Sequence, residues 1–376
     1  MTTTVNNAER TGAPAPLQPL PDQPESWITH QKPIPFEDAV ERILNAHKKD
    51  GIRSDTAVLD LRTWAFGTHD QKTMALAKVP LPGRDTGEPM PLREQAFGQL
   101  CQRLGAPAPY IRHLPLKLQV ACMNWGLSQN KATALLRLAD NQIRSIVSDR
   151  YAALDDELVL DLVGKTLDKA GYKQDALVRA TATGPHTVMR ITIPSEAKPV
   201  KKGDLIEHGI DIANSELGLR SVQVTPVTYR LVCTNGMRAW HSEASLRMRH
   251  IGDPDRLRDQ LADAIPVAFA EARGDIERWV RAVDILVDSA LDEIESLRGF
   301  GLGTSEIQAI GHSFATDHNL LTETTGAKTL EEALKTRSTV FDLANSITSC
   351  ARDRESVPAR LALEEVAGRY LNQKAA

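Results

Sequence analysis

The chain has 376 residues, enough to bury a sizeable core and to form two domains. Its 45 Lys and Arg against 49 Asp and Glu leave a net charge of -4, so global charge gives no support to nucleic-acid binding and any such function needs a local basic face.

Four cysteines, Cys101, Cys122, Cys233 and Cys350, lie far apart without a C-x-x-C pair, the pattern of reduced, buried thiols rather than of a zinc ribbon or disulfide framework. The first residues lack the basic start and apolar run of a signal peptide, and no stretch of about 18 apolar residues occurs. A cytoplasmic protein with no membrane partner is expected.

Residues 1–30, rich in Thr, Asn, Ala and Pro, are expected to form a disordered N-terminal tail. An α+β core domain is expected over 31–250 and a helical C-terminal region over 251–376. FEDAVERILNAHKK has the helical spacing Phe36, Val40, Ile43 and Leu44, and TAVLDLRTWAF is strand-like at Val58 and Leu59. In 92–126 a helix through Phe97, Leu100 and Leu104 stops at Gly105 and resumes at Tyr110; a helix-turn-helix with Arg112 and His113 and an ordinary helical hairpin both remain open.

ATALLRLADNQIRSIVSDRY and ALVRATATGPHTVMRITIP read as two hairpins with one buried and one solvated face, the arginines Arg137, Arg144, Arg150, Arg179 and Arg190 belonging to the solvated one. Between them, Asp155, Asp156 and Glu157 open a helix with Leu158, Leu160, Leu162, Val163 and Leu167 on its apolar face. That trio reads as a solvated first turn matched to the helix dipole, with a metal cluster as the alternative. The fold class is therefore α+β, an antiparallel sheet built from hairpins and packed with helices. Past residue 251, Ile276, Trp279, Val280, Val283, Leu286, Val287, Leu291, Ile294 and Leu297 predict one long amphipathic helix, with further helices around Phe341, Ile347 and Leu363.

Two chemistries compete. Arg220, Arg230, Arg238, Arg247 and Arg249 face Glu243 alone between Gly218 and His250, and with Arg144 and Arg150 they could line a phosphate-tracking groove, with Tyr151 and Trp240 stacking on bases. In the bland reading, VTPVTYRLVCTNGMRAW is a buried strand, Asn235-Gly236 supplies its turn and the arginines are simply outside. Asp175, Glu196 and Lys198 have the residue types of a metal-dependent nuclease. Glu207, Asp211 and Glu216 could bind a cation but read as a solvated strand edge, and GFGLGTSE, lacking a Walker lysine, as a loop and helix start. No cofactor and no metal ligand set is predicted.

The run GIDIANSELGLRSVQVTPVTYRLVCTNGM resembles the signature segment of the phage- and plasmid-associated family called domain of unknown function 932. SIVSDRYAALDDELVLDLV, AFGQLCQRLGAPAPYIRHLP and NSITSCARDRESVPARLALEEVAGRYL are similar to its other segments. The resemblance implies a mobile-element context such as DNA recombination, and assigns no catalytic residue. The expected function is single-stranded nucleic-acid binding, DNA or another nucleic acid, by a non-enzymatic annealing or recombination factor acting as a homo-oligomer. The alternatives are the metal-dependent nuclease and a host-interaction or anti-defence protein.

Overall fold

The computed structural model describes residues 32–56, 59–69, 73–78, 89–183, 186–201, 204–230, 235–238, 245–321, 329–354 and 357–375. The expected N-terminal tail lies outside them. The chain opens with β1 (Ile34–Pro35) and α1 (Phe36–Lys49), whose Phe36, Ala39 and Ile43 are buried and whose acidic first turn and basic last turn suit the helix dipole. Next come β2 (Arg53–Asp55), β3 (Leu59–Asp60), β4 (Ala65–His69), β5 (Thr73–Lys78) and β6 (Met90–Pro91). Three helices follow: α2 (Glu94–Leu104), α3 (Ala108–His113) and α4 (Leu116–Gln129). Gly105, at φ 65°, ends α2 in the left-handed conformation that glycine adopts most readily.

The two expected hairpins are present. They are β7 (Thr133–Ala139) with β8 (Gln142–Ser148), and β9 (Leu177–Thr183) with β10 (His186–Thr192); α5 (Asp156–Lys169) lies between them. Strands β11 (Lys198–Lys201), β12 (Asp204–Asn214), β13 (Val222–Arg230), β14 (Asn235–Arg238) and β15 (Leu246–Met248) complete the main sheet, ordered β1-β9-β10-β12-β13-β14 with β11 beside β12 and β15 beside β13. Its pairings are all antiparallel. A second sheet is built on β7, flanked by β2 and β3 on one side and β8 on the other, and β4-β5-β6 form a third. The helical region contains α6 (Pro254–Ala282), β16 (Leu286–Val287), α7 (Ala290–Ser296), α8 (Thr304–Asp317), α9 (Leu330–Leu334), β17 (Ser338–Thr339), α10 (Val340–Arg352) and α11 (Val357–Ala375). The fold is α+β, antiparallel sheets followed by a helical C-terminal region.

Helix α6 ties the layers together. Its first half sends Leu257, Leu261, Ile265 and Phe269 into a core shared with α1, α5 and the main sheet, and its second half sends Ile276, Trp279 and Ala282 into the core of the C-terminal helices. Trp279 Nε1 also donates to Thr228 Oγ1 at 3.0 Å, fixing α6 on β13. A third core joins the smaller sheets to α2–α4.

Four expectations are corrected here. The amphipathic run 276–297 is not one helix: α6 stops at Ala282, the Ile285-Leu286-Val287 run pairs as β16 with β17, and Ser289 accepts the Asp292 N–H at 3.2 Å to start α7. Asn235-Gly236 is not the turn, because both residues pair within β14, Asn235 opposite Arg230 and Gly236 opposite Tyr229; the connection is 231–234, outside the described residues. Arg137, Arg144, Arg179 and Arg190 are buried, between 1% and 7% exposed, because layers cover both faces of their strands; Arg150 is exposed. Glu207, Asp211 and Glu216 are no solvated edge, since β12 is an interior strand and all three are buried.

Buried Arg190 is paired. Arg190 lies opposite Asp211 across β10 and β12 and binds it by Nε at 2.7 Å and Nη2 at 2.8 Å, while Nη2 also reaches Glu364 of α11 at 3.3 Å. Pro226, in the middle of β13, pairs with Ile210 on one side and on the other falls between the residues paired with β14 and with β15, where no described strand needs its missing N–H. The GFGLGTSE segment is the expected loop and helix start, with the Glu306 carboxylate accepting the Gly303 N–H at 2.6 Å.

Gly209 sits opposite Thr192 where β12 meets β10, and a Cβ there would lie 1.8 Å from the Ile191 carbonyl oxygen. Because backbone blocks the space, Gly209→Ala is predicted to destabilise the fold by at least about 2 kcal/mol in urea denaturation. A change under about 0.5 kcal/mol would contradict the register of these strands.

Candidate functional site

Segments distant in sequence meet around one carboxylate. Glu216, two residues beyond β12, is 6% exposed. Its Oε2 accepts from Arg144 of β8 at 3.0 Å and from Arg53 of β2, and its Oε1 accepts the main-chain N–H of Asp156, the first residue of α5, at 2.9 Å. Its main-chain oxygen accepts from the Tyr151 hydroxyl at 3.0 Å and from Arg137 of β7. A negative charge at the start of α5 is favourable because it faces the positive end of the helix dipole. The second sheet, the main sheet and α5 are thus joined through one side chain.

Asp156 lies alongside and is 2% exposed, which corrects its reading as part of a solvated turn; Asp155 is half-buried and Glu157 is exposed as expected. Asn214 Nδ2 donates to its Oδ1 at 2.7 Å, and the Thr187 hydroxyl donates to its Oδ2. His47, in the last turn of α1, places Nε2 3.2 Å from Asp156 Oδ2 and Nδ1 3.8 Å from Glu216 Oε1. A single ring nitrogen and one oxygen from each carboxylate lie within 4.8 Å of one another. Among the described residues this is the only group of three or more His, Cys, Asp and Glu side chains so placed.

A second layer surrounds these groups. Arg137 donates to Asp55 at 2.9 Å and to Asp155 at 2.7 Å, and its guanidinium lies over the Tyr151 ring. Tyr151 stacks on His250 with ring centroids 5.3 Å apart. Burial raises the Asp155 carboxyl, but its ion pair with Arg137 outweighs this and holds it below the usual range. Burial also pushes the Tyr151 phenol up and the His250 imidazole down, so both side chains favour their neutral forms.

Residues 144–356, more than half of the sequence, match the model of a family described as Domain of unknown function (DUF932). The chain belongs to the DUF932 family. No curated protein and no solved structure matches it. The match contains Arg144, Asp156 and Glu216, whereas His47 and Arg53 come from the part of this DUF932 chain that precedes it.

The arginine groove expected from the sequence is divided. Arg144 and Tyr151 turn inward to Glu216, and Arg220 is half-buried. Arg150, Arg247 and Arg249 are exposed near one strand junction: Tyr151 pairs with Ile251, Gly252 N–H donates to the Arg150 carbonyl, and Arg247 lies opposite Gln223. Arg230 and Arg238 are placed by backbone only, in β13 and β14, and Trp240 lies outside the described residues.

The nuclease set takes local structural roles. Asp175 accepts the Ser195 N–H at 2.8 Å, and Glu196 accepts the Tyr172 hydroxyl at 3.0 Å and pairs with Arg273 at 3.1 Å. Lys198 pairs through its backbone with Ile206 in β11.

A face that the sequence reading passed over lies on α3 and α4. Tyr110 is 62% exposed and Trp125 70% exposed, with Leu118, Ala121 and Cys122 exposed between them and Arg112, His113, Lys117 and Lys131 also at the surface. The signal was available: between Glu94 and Asp140 there is no acidic residue, while Arg103, Arg112, Lys117, Lys131 and Arg137 carry positive charge.

His208, 1% exposed and close to Glu196, Arg273 and Lys198, has its imidazole pKa lowered by burial to about 4 from 6.5. Between those values the unfolded chain binds the proton and the folded chain does not. The resulting stability is full above about pH 6.5 and is lost as pH falls toward 4, a contribution of roughly 3 kcal/mol at most. A folded His208→Gln variant is predicted to show a shallower loss of stability from pH 6.5 to 4, measured by urea denaturation; an unchanged slope would contradict the assignment.

Proposed function

We propose that this protein binds single-stranded nucleic acid along the face of α3 and α4. The observation that carries the reading is the pair of exposed aromatic rings, Tyr110 and Trp125, on a stretch of chain with no acidic residue between Glu94 and Asp140. Every base has a face that stacks on an aromatic ring, and Lys and Arg beside such rings bind the phosphates without demanding a sequence. The exposed cations Lys117 and Lys131 supply that charge, while Arg112 is paired with Glu94.

A path for a strand continues from this face. Lys131 lies two residues before Thr133, whose hydroxyl donates to Asp149 at 2.9 Å, and Asp149 adjoins Arg150. Arg150 is in turn joined by its carbonyl to Gly252, three residues beyond Arg249. The exposed arginines expected from the sequence thus extend the path begun by Tyr110 and Trp125. Binding of this kind suits annealing or recombination by an oligomer on a phage or plasmid, the context implied by the family resemblance. A cytoplasmic location belongs to the same proposal, because exposed thiols such as Cys122 persist in a reducing compartment.

The test is fluorescence anisotropy with a labelled oligothymidine at several salt concentrations. Wild type is expected to bind, with affinity falling as salt rises. Tyr110→Ala with Trp125→Ala is expected to weaken binding by about tenfold or more, from a stacking contribution of about 1–3 kcal/mol per base. Absent binding by wild type, or unchanged affinity in the folded double variant, would overturn the proposal.

A further inference from the structure

We propose that His47, Asp156 and Glu216 form a binding site for one divalent first-row metal ion, of the Mn²⁺ or Zn²⁺ class. The inference rests on the junction of α1, α5 and β12 and does not depend on nucleic-acid binding.

The donor set suits such an ion: one imidazole nitrogen and two carboxylate oxygens are borderline-to-hard ligands. Ligand atoms about 2.0–2.2 Å from a metal lie roughly 3–4 Å from one another. Nε2 of His47 and Oδ2 of Asp156 are 3.2 Å apart, and the three donor atoms together span no more than 4.8 Å.

The surrounding groups are arranged as outer-shell partners of a metal site are. Asn214 fixes the other oxygen of Asp156, and Arg144 and Arg53 fix the other oxygen of Glu216; Asp156 Oδ2, which also accepts from Thr187, and Glu216 Oε1, which also accepts the Asp156 N–H, face His47. Asp156 and Glu216 are nearly closed off from solvent, whereas the His47 side chain is 15% exposed and forms the open wall. Three protein ligands leave coordination positions for water or an oxygen of a bound molecule.

A second observation points to what completes the site. Arg144, 2% exposed, donates one guanidinium nitrogen to Glu216, while its Nε and Nη2 are buried without a hydrogen-bond partner among the described residues. A buried guanidinium with unused N–H groups costs free energy unless an acceptor reaches it. An acceptor for these N–H groups, water or an anionic oxygen, would lie beside Glu216.

The experiment uses the full-length protein, stripped with a chelator, dialysed and titrated with Mn²⁺ and separately with Zn²⁺ by calorimetry. One ion per chain is expected for at least one metal, with His47→Ala and Asp156→Asn each weakening it by more than about tenfold. Should the variants not fold, pulsed electron paramagnetic resonance of Mn²⁺-loaded wild type is expected to show a directly bound imidazole nitrogen. Neither metal binding to wild type, affinity unchanged in both folded variants, or bound Mn²⁺ without imidazole coupling would each overturn the proposal.

Discussion

The carboxylate of Glu216 is the constraint around which the N-terminal half of the molecule is arranged. It is nearly closed off from solvent, so its charge must be balanced where it sits, and the balance comes from three directions at once: Arg144 from β8, Arg53 from β2 and the start of α5. An ion in such a place is costly without partners, and removing one partner leaves the others uncompensated. The second sheet and the main sheet are therefore held in register by electrostatics where their hydrophobic cores are separate.

The same logic recurs on the other face of the main sheet. Arg190 and Asp211 form a cross-strand pair that reaches Glu364, and Arg360 pairs with that glutamate one turn away, so the last helix is tied to the sheet by buried charge. Apolar packing supplies the area, through α6 passing from one core to the other. The ion pairs restrict which arrangement of the layers that packing can take.

Local structure was legible in the sequence wherever the pattern was local. The β7–β8 and β9–β10 hairpins, the helix ended by Gly105 and the helix through Leu160 and Leu167 follow from alternation, helical spacing and turn residues. The burial of Arg137, Arg144 and Arg190 was not legible, because a strand alternating Arg with aliphatic residues looks the same whether a second layer covers its polar face or water does. Asn235-Gly236 misled for a related reason: the dipeptide favours a turn, but pairing with Tyr229 and Arg230 placed it in a strand. His47 and Glu216 are 169 residues apart, and no spacing rule connects them. The acid-free run from 95 to 139 was legible, but only its helical spacing, with Arg112 and His113 as side chains of a helix-turn-helix, drew notice.

The most direct test of the Glu216-centred account is a double-mutant cycle between Glu216→Gln and Arg144→Met, with stabilities from urea denaturation at neutral pH. Residues that share one buried network couple, so an interaction energy of about 1–3 kcal/mol is predicted. Additivity within about 0.5 kcal/mol would contradict the claim that this carboxylate organises the junction.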